Sequence, residues 1–126
     1  MNYLPLLGRI FFSAIFILAS FSHFTRGAIQ MAYQQEVPLA IILVPLSGIM
    51  AFLGGVSILV GYRAKIGAGL IILFLIPVTL MMHKFWAFQD PISAMNEKVL
   101  FMKNLSMLGG AIFIAYFGSG PFSLKR

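Results

Sequence analysis

Arg9, Ser13, Phe16, Ser20 and His23 follow one another at intervals of 4, 3, 4 and 3 residues along the first apolar stretch of this chain. On an α-helix that spacing puts all five on one face. The third apolar stretch has a counterpart in Gly69, Ile72, Ile76, Thr79, His83 and Trp86. The fourth opens with Lys103 and Asn104, continued from the Lys103 side by Ser106 and Gly110. An imidazole exchanges protons near neutral pH, and a lysine carries a compact positive charge that shifts readily with its surroundings. His23, His83 and Lys103 are therefore the groups with which this chain would hold a ligand and move a proton to or from it.

The elements that must position these residues are apolar. Hydrophobic residues make up 60% of the 126, and only 10% are charged. The mean hydropathy of +0.97 lies far above that of soluble domains. Four stretches, about 4–24, 37–61, 66–85 and 99–117, are each close to the ~20 residues that cross a ~30 Å hydrocarbon layer. The fold expected is an all-α, polytopic membrane four-helix bundle over residues 1–126 as one domain, with both termini on the same side. The first stretch reads as a retained helix rather than a signal peptide, because no basic cluster precedes it. Pro45 and Pro77 fall inside helices, where each should introduce a kink unless neighbours satisfy the freed carbonyl.

Charge sets the orientation. The net charge of +6 would suggest nucleic acid in a soluble domain, but here the basic residues stand at the ends of apolar runs, where they anchor to headgroups. Nucleic-acid binding is discarded. The side shared by the termini and the second loop holds Arg9, Arg63, Lys65, Lys125 and Arg126, against Arg26, Lys84, Lys98 and Lys103 on the other. The short, wholly basic second loop is the better guide and predicts both termini in the cytoplasm of a bacterium.

This topology brings the polar faces to one depth. His23 ends the first span, His83 ends the third, and Lys103 and Asn104 open the fourth, with Arg26 and Glu36 bordering them from the first loop. The expectation is a polar ligand pocket under the outer interface, walled by Phe24, Phe85 and Trp86, above a polar bundle face of Arg9, Ser13, Ser20 and Thr79. Plainer roles stand beside this one. Lys84 and Lys103 can snorkel to headgroups, Tyr33, Phe85 and Trp86 can be interfacial aromatics, and the histidines can be satisfied within the chain. Arg9 can cap the closing segment 118–123 or bind a lipid phosphate.

The chemistry is bounded by what is missing from the sequence. There is no cysteine, which removes disulfides, thiolate metal sites and CxxC redox motifs together. No paired carboxylates, P-loop, nucleophile elbow or zinc-protease spacing occurs. A metal or haem shared by His23 and His83 is disfavoured, since no third ligand is evident. A quinone, or another flat lipophile hydrogen-bonded by histidine or lysine, fits better.

Three segments carry a family resemblance: Gly8-Arg9 with Ile15-Phe16; the run Gly54-Gly55-Val56-Ser57-Ile58-Leu59-Val60-Gly61-Tyr62-Arg63; and Phe101-Met102-Lys103-Asn104-Leu105 with Gly109-Gly110, closed by Gly118-Ser119-Gly120-Pro121-Phe122-Ser123-Leu124. With His83 late in the third span, the chain resembles the DoxX family over essentially its full length. The resemblance implies a four-helix bundle of the bacterial inner membrane. It also implies a link to thiosulfate:quinone oxidoreductase or to other membrane redox and detoxification complexes, while broader relatives serve as cargo receptors or assembly chaperones. The chain departs from the family where many members carry an acidic residue before the Gly-Gly run, since Ala51 and Phe52 precede Leu53 here. It departs again where Lys125 stands in place of a closing aspartate.

The function expected is thus a small inner-membrane subunit of a redox system, not catalytic alone, that binds a quinone-like lipophile or docks a membrane oxidoreductase partner. The alternatives are a non-catalytic scaffold or assembly chaperone, and, with homo-oligomerisation, a small-solute transporter or channel.

Overall fold

The computed structural model describes residues 3–124. Five α-helices succeed one another: α1 (Leu4–Ser20), α2 (Arg26–Gln34), α3 (Ala40–Val60), α4 (Ala64–Met82) and α5 (Pro91–Phe117). Single 3-10 turns extend α1 over Phe21–Phe24 and follow α4 at Phe85–Ala87. Four helical segments are long and apolar enough to cross a membrane, Leu4–Phe24, Ala40–Val60, Ala64–Ala87 and Pro91–Phe117. The chain is an all-helical integral membrane protein in its described residues. Lys125 and Arg126, which entered the charge comparison, lie outside them.

Two boundaries differ from the sequence expectation, each for a local reason. The loop between the first two stretches, about 25–36, is largely helix α2. Thr25 caps it by accepting a hydrogen bond from the Ala28 N–H at 3.2 Å, and its Ala28, Ile29 and Ala32 side pack on Ala40, Val44 and Met82. The fourth span begins at Pro91 rather than near 99. Asp90 accepts from the Ser93 N–H at 3.2 Å and the Ser93 hydroxyl at 2.8 Å, with Pro91 at the first helical position, where its missing N–H is harmless. At about 1.5 Å per residue α5 is some 40 Å long, so its first turns project beyond a ~30 Å core. Helices α3 and α4 run unbroken through Pro45 and Pro77.

Helix α3 is the centre of the bundle, packed by α1 on one side and α4 on the other, with α5 on the far side of α4. In lipid there is no hydrophobic drive between helices, so backbone proximity and packing must hold them. Five of the seven buried residues of α3 are accordingly Ala or Gly (Ala40, Gly48, Ala51, Gly54 and Gly55), with Val44 and Ile58 the others. A Cβ added at Gly54 would lie 2.8 Å from the Gly67 carbonyl oxygen of α4. Phe16, Ile58, Ile71, Phe74 and Leu75 fill the core around this approach.

One end of the bundle is tied shut by Arg9. Its residue exposure is 4%, and its fork is surrounded by the closing segment. Nη1 donates to Ser119 O at 2.8 Å, Pro121 O at 3.0 Å and Ser123 Oγ at 2.9 Å, and Nη2 donates to Phe122 O at 2.7 Å. Of the two roles open to Arg9, the structure shows the cap. The α3–α4 turn completes the joint. Gly61 has φ +71°, and the Tyr62 N–H reaches back to Ser57 O at 3.0 Å in the manner of a Schellman cap. A Cβ at Gly61 would meet Ser123 Cβ at 2.6 Å, while the Leu124 N–H bonds Val60 O at 3.1 Å.

Removing the fork in Arg9→Met leaves several carbonyls buried without donors. The expected loss is about 3 kcal/mol in reversible unfolding in detergent, with faster amide exchange at 119–124, and Arg9→Lys should recover only part because an ammonium cannot span the same acceptors. A second expectation concerns pH. The Ser93 hydroxyl and N–H hold the Asp90 carboxyl below its usual range. A depressed carboxyl contributes its stabilisation above the unfolded value of about 4 and loses it as pH falls through the lower folded value. With intrinsic exchange divided out, the protection of the first-turn amides of α5 should therefore fall on acidification below about pH 4 in the native chain, and stay constant there in Asp90→Asn.

Candidate functional site

The bundle is loosest at the end opposite Arg9. Beyond the Gly54–Gly67 contact, the facing residues of α3 and α4 line a cavity of about 370 Å³. Val44, Ser47 and Met50 of α3 and Phe74, Val78 and Met81 of α4 are among its walls. Ser22 and His23 close it from the end of α1, Met31 and Ala32 of α2 roof it, and His83 stands at its rim at the end of α4. Leu46, Leu73 and Pro77 also line it and are exposed on the outside of the bundle. It therefore opens sideways between α3 and α4, toward where lipid tails lie.

Each polar group on the wall is held by a defined partner. His23 Nδ1 is 2.9 Å from Ser47 Oγ, and Ser47 Oγ donates to Val44 O at 2.6 Å. A hydroxyl has one proton, and Ser47 has given it to Val44. His23 must then donate from Nδ1, which leaves Nε2 as the acceptor of the neutral ring. The ring rests against Phe74 with centroids 5.5 Å apart. His83 Nδ1 lies 2.9 Å from Glu97 Oε2 on α5. A carboxylate behind an imidazole fixes its tautomer and orients the ring, which is the arrangement of a proton-handling pair. Lys84 donates to the Gln35 carbonyl at 3.2 Å and so binds the end of α4 to the C-terminus of α2. The turn between α2 and α3 carries left-handed backbone at Glu36 and Leu39.

The structure brings only part of the expected pocket together. His23 and His83 share one cavity. Arg26 is exposed, and Glu36 is exposed beside a separate groove with Tyr33 and Leu39. Trp86 is 58% exposed and packs edge-to-face with Phe85 and Phe101 outside the cavity. The expected face of the third span is rotated: Thr79 is buried, but Ile76 is exposed, and the inward row is Ala64, Ala68, Ile71 and Leu75. On α5 the inward side is that of Asn104 and not of Lys103. Asn104 is 5% exposed, in line with Glu97, Phe101, Leu108 and Ala111 at spacings of 4, 3, 4 and 3. Lys103 is exposed, and since α5 starts at Pro91 it sits about 18 Å along the helix rather than at its mouth. Neither Lys103 nor Asn104 lines the cavity.

Arg9, Ser13, Phe16 and Ser20 are all buried on one face of α1, with His23 half-buried at its end. Arg9 belongs to the opposite end of the bundle from the cavity, and Ser13 and Ser20 turn their hydroxyls back to Ile10 O and Ile17 O. Ser47 and Glu97 are the site residues that the sequence reading missed. For Glu97 a signal existed in Asp90-Pro91-Ile92-Ser93, a helix start that puts Glu97 on the second turn of α5. For Ser47 there was none beyond a hydroxyl in an apolar helix. Among the described residues no group of three or more His, Cys, Asp or Glu is placed to hold a metal ion.

Comparison with known proteins agrees with this architecture. The DoxX family model matches residues 4–84, which takes in the Arg9 anchor, the Gly54-Gly55 contact, both histidines and the cavity. The chain is 29% identical over 121 residues to "Inner membrane protein YqjF" of Escherichia coli (strain K12), covering 96% of this chain and 88% of that one. No solved structure matches the chain. With the family model covering well over half of its length, the chain is a member of the DoxX family.

Proposed function

We propose that this protein is a lipophile-holding subunit of a redox system in the bacterial inner membrane, and that its ligand is of the quinone class. One observation carries the reading: a largely apolar cavity opens to the bilayer with two imidazoles on its wall, one of them backed by a carboxylate. Its 370 Å³ lies in the range of small-molecule sites, enough for a substituted ring with the isoprenoid or alkyl tail left in lipid. Met31, Met50, Met81 and Met82 give the walls polarisable sulfur, which packs well against a flat ring. Reduction of such a ring takes up protons as well as electrons, and His83 with Glu97 is the pair suited to pass them.

The chain supplies position and protons, and electrons come from a partner in the membrane. The outer face of α5 is the docking surface in this reading. Only 11% of its apolar window is buried, and Lys103 stands on that exposed face within the bilayer, where a lysine calls for a carboxylate or a route to headgroups. The named relative is an inner membrane protein, and the basic turn around Arg63 and Lys65 supports cytoplasmic termini, with the cavity in the periplasmic half.

Two measurements test this. Purified protein, titrated in nanodiscs with a short-chain alkyl benzoquinone and its hydroquinone, should bind at least one of them, and His83→Ala should weaken binding about tenfold by removing one hydrogen bond. Absence of binding by native, folded protein points instead to the scaffold reading. Gly48→Val offers an independent check. A Cβ at Gly48 would stand 2.7 Å from His23 Cβ, so the larger side chain should push His23 off the cavity wall. Ligand affinity should then fall while the Arg9 joint and its slow amide exchange persist.

A further inference from the structure

From the hydrogen bonds on the cavity wall we infer that the site selects a lipophile bearing phenolic hydroxyls, and so holds the hydroquinone in preference to the quinone. This rests on the ligand class proposed above and deepens it. The four polar side chains that line the cavity are Ser22, His23, Ser47 and His83. Each has already given away the proton that its geometry lets it donate. The Ser22 hydroxyl donates to Ala19 O at 2.7 Å, and the Ser47 hydroxyl to Val44 O at 2.6 Å. His23 donates from Nδ1 to Ser47 Oγ, and His83 donates from Nδ1 to the Glu97 carboxylate, both at 2.9 Å.

What remains is lone pairs: Nε2 of His23, in the tautomer that the Ser47–Val44 bond imposes, and the free lone pairs of the serine oxygens. Pro77 adds to them, because it lacks the N–H that would bond the Leu73 carbonyl one turn earlier in the wall. The methionine sulfurs are weak acceptors as well. Lysine, the obvious donor, is engaged elsewhere, with Lys84 on Gln35 O and Lys103 on the outer face of α5. A quinone presents two carbonyl oxygens, both acceptors, and would set lone pair against lone pair in a medium without water. Its hydroquinone presents two O–H donors of nearly the same shape. The wall distinguishes these two forms by hydrogen-bond polarity alone, since their ring size and tail are shared.

The test uses three probes that share one alkyl-substituted ring: the hydroquinone, kept reduced under argon, the benzoquinone, and the hydroquinone dimethyl ether, which has no donor. Full-length protein in nanodiscs is titrated with each by calorimetry. The hydroquinone should bind about tenfold more tightly than either of the others, the equivalent of one well-made hydrogen bond. His23→Gln introduces an amide N–H into the wall, so the quinone should gain and the preference should shrink below about threefold. Equal or tighter binding of the quinone by native protein overturns the inference and leaves the ligand class standing. Equal binding of the dimethyl ether and the hydroquinone also overturns it, because shape would then suffice. Failure of all three to bind overturns the ligand class itself.

Discussion

A guanidinium buried among helices in an apolar medium has to be solvated by the protein, and Arg9 is solvated by the backbone of its own C-terminal segment. Among the described residues the cation draws in the carbonyls of Ser119, Pro121 and Phe122 and the Ser123 hydroxyl. These groups follow α5, whose own C-terminal carbonyls carry the negative end of a helix dipole, so the positive charge is doubly placed. The consequence reaches beyond one residue. The start of α1, the α3–α4 turn at Gly61 and the tail after α5 become a single joint, and the helices leave it at fixed positions. The cavity lies at the far end, away from that joint.

The same shortage of water governs the smaller polar groups. Ser13, Ser20, Ser22 and Ser47 all bond to the carbonyl three residues earlier on their own helix. Such back-bonds satisfy the hydroxyl without reaching across the bundle. They contribute little to helix association, which rests on small residues such as Gly54 and Gly67 and on the edge-on contact of Phe16 with Phe74. They also fix the sense of each hydrogen bond that His23 can make. A polar ligand therefore meets a surface whose protons are already placed.

Much of this was readable from the sequence, and the limits are physical. The 4, 3, 4, 3 rhythm from Arg9 to His23 gave the buried face of α1 because one side of that helix is polar and the other is not. Helix α3 has no such contrast: its buried residues are Ala and Gly set among Leu, Ile and Val, and only the structure shows which touch a neighbour. On α5 the contrast misled, since Lys103 is the more polar of two adjacent residues yet the smaller, uncharged Asn104 turns inward. A lysine can reach an interface along its stem, whereas an asparagine cannot, so the amide is the group that burial must satisfy. Hydropathy also placed the start of that helix too late. The polar turns around Glu97 project past the hydrocarbon layer and look like loop to any hydropathy window, and those turns supply the carboxylate that holds His83.

The roof of the cavity decides how a ligand reaches it. Helix α2 is held at its C-terminus by Lys84 on Gln35 O, along its length by Ala28, Ile29 and Ala32 on the start of α3, and at its N-terminus by the Thr25 cap. Beyond it the chain turns through Glu36 and Leu39 in left-handed conformation, which non-glycine residues adopt only when the surroundings over-determine it. The aqueous side is thus closed by a braced element, while the side toward lipid is bordered by Leu46, Leu73 and Pro77, whose side chains face tails and make no polar contact that must be broken. A molecule with a polar ring and an apolar tail would cross the lateral opening with its tail still in the bilayer. Only its ring would have to be desolvated, and the imidazoles and serine oxygens of the wall are placed where that ring comes to rest. The geometry therefore favours exchange with the membrane pool over exchange with water.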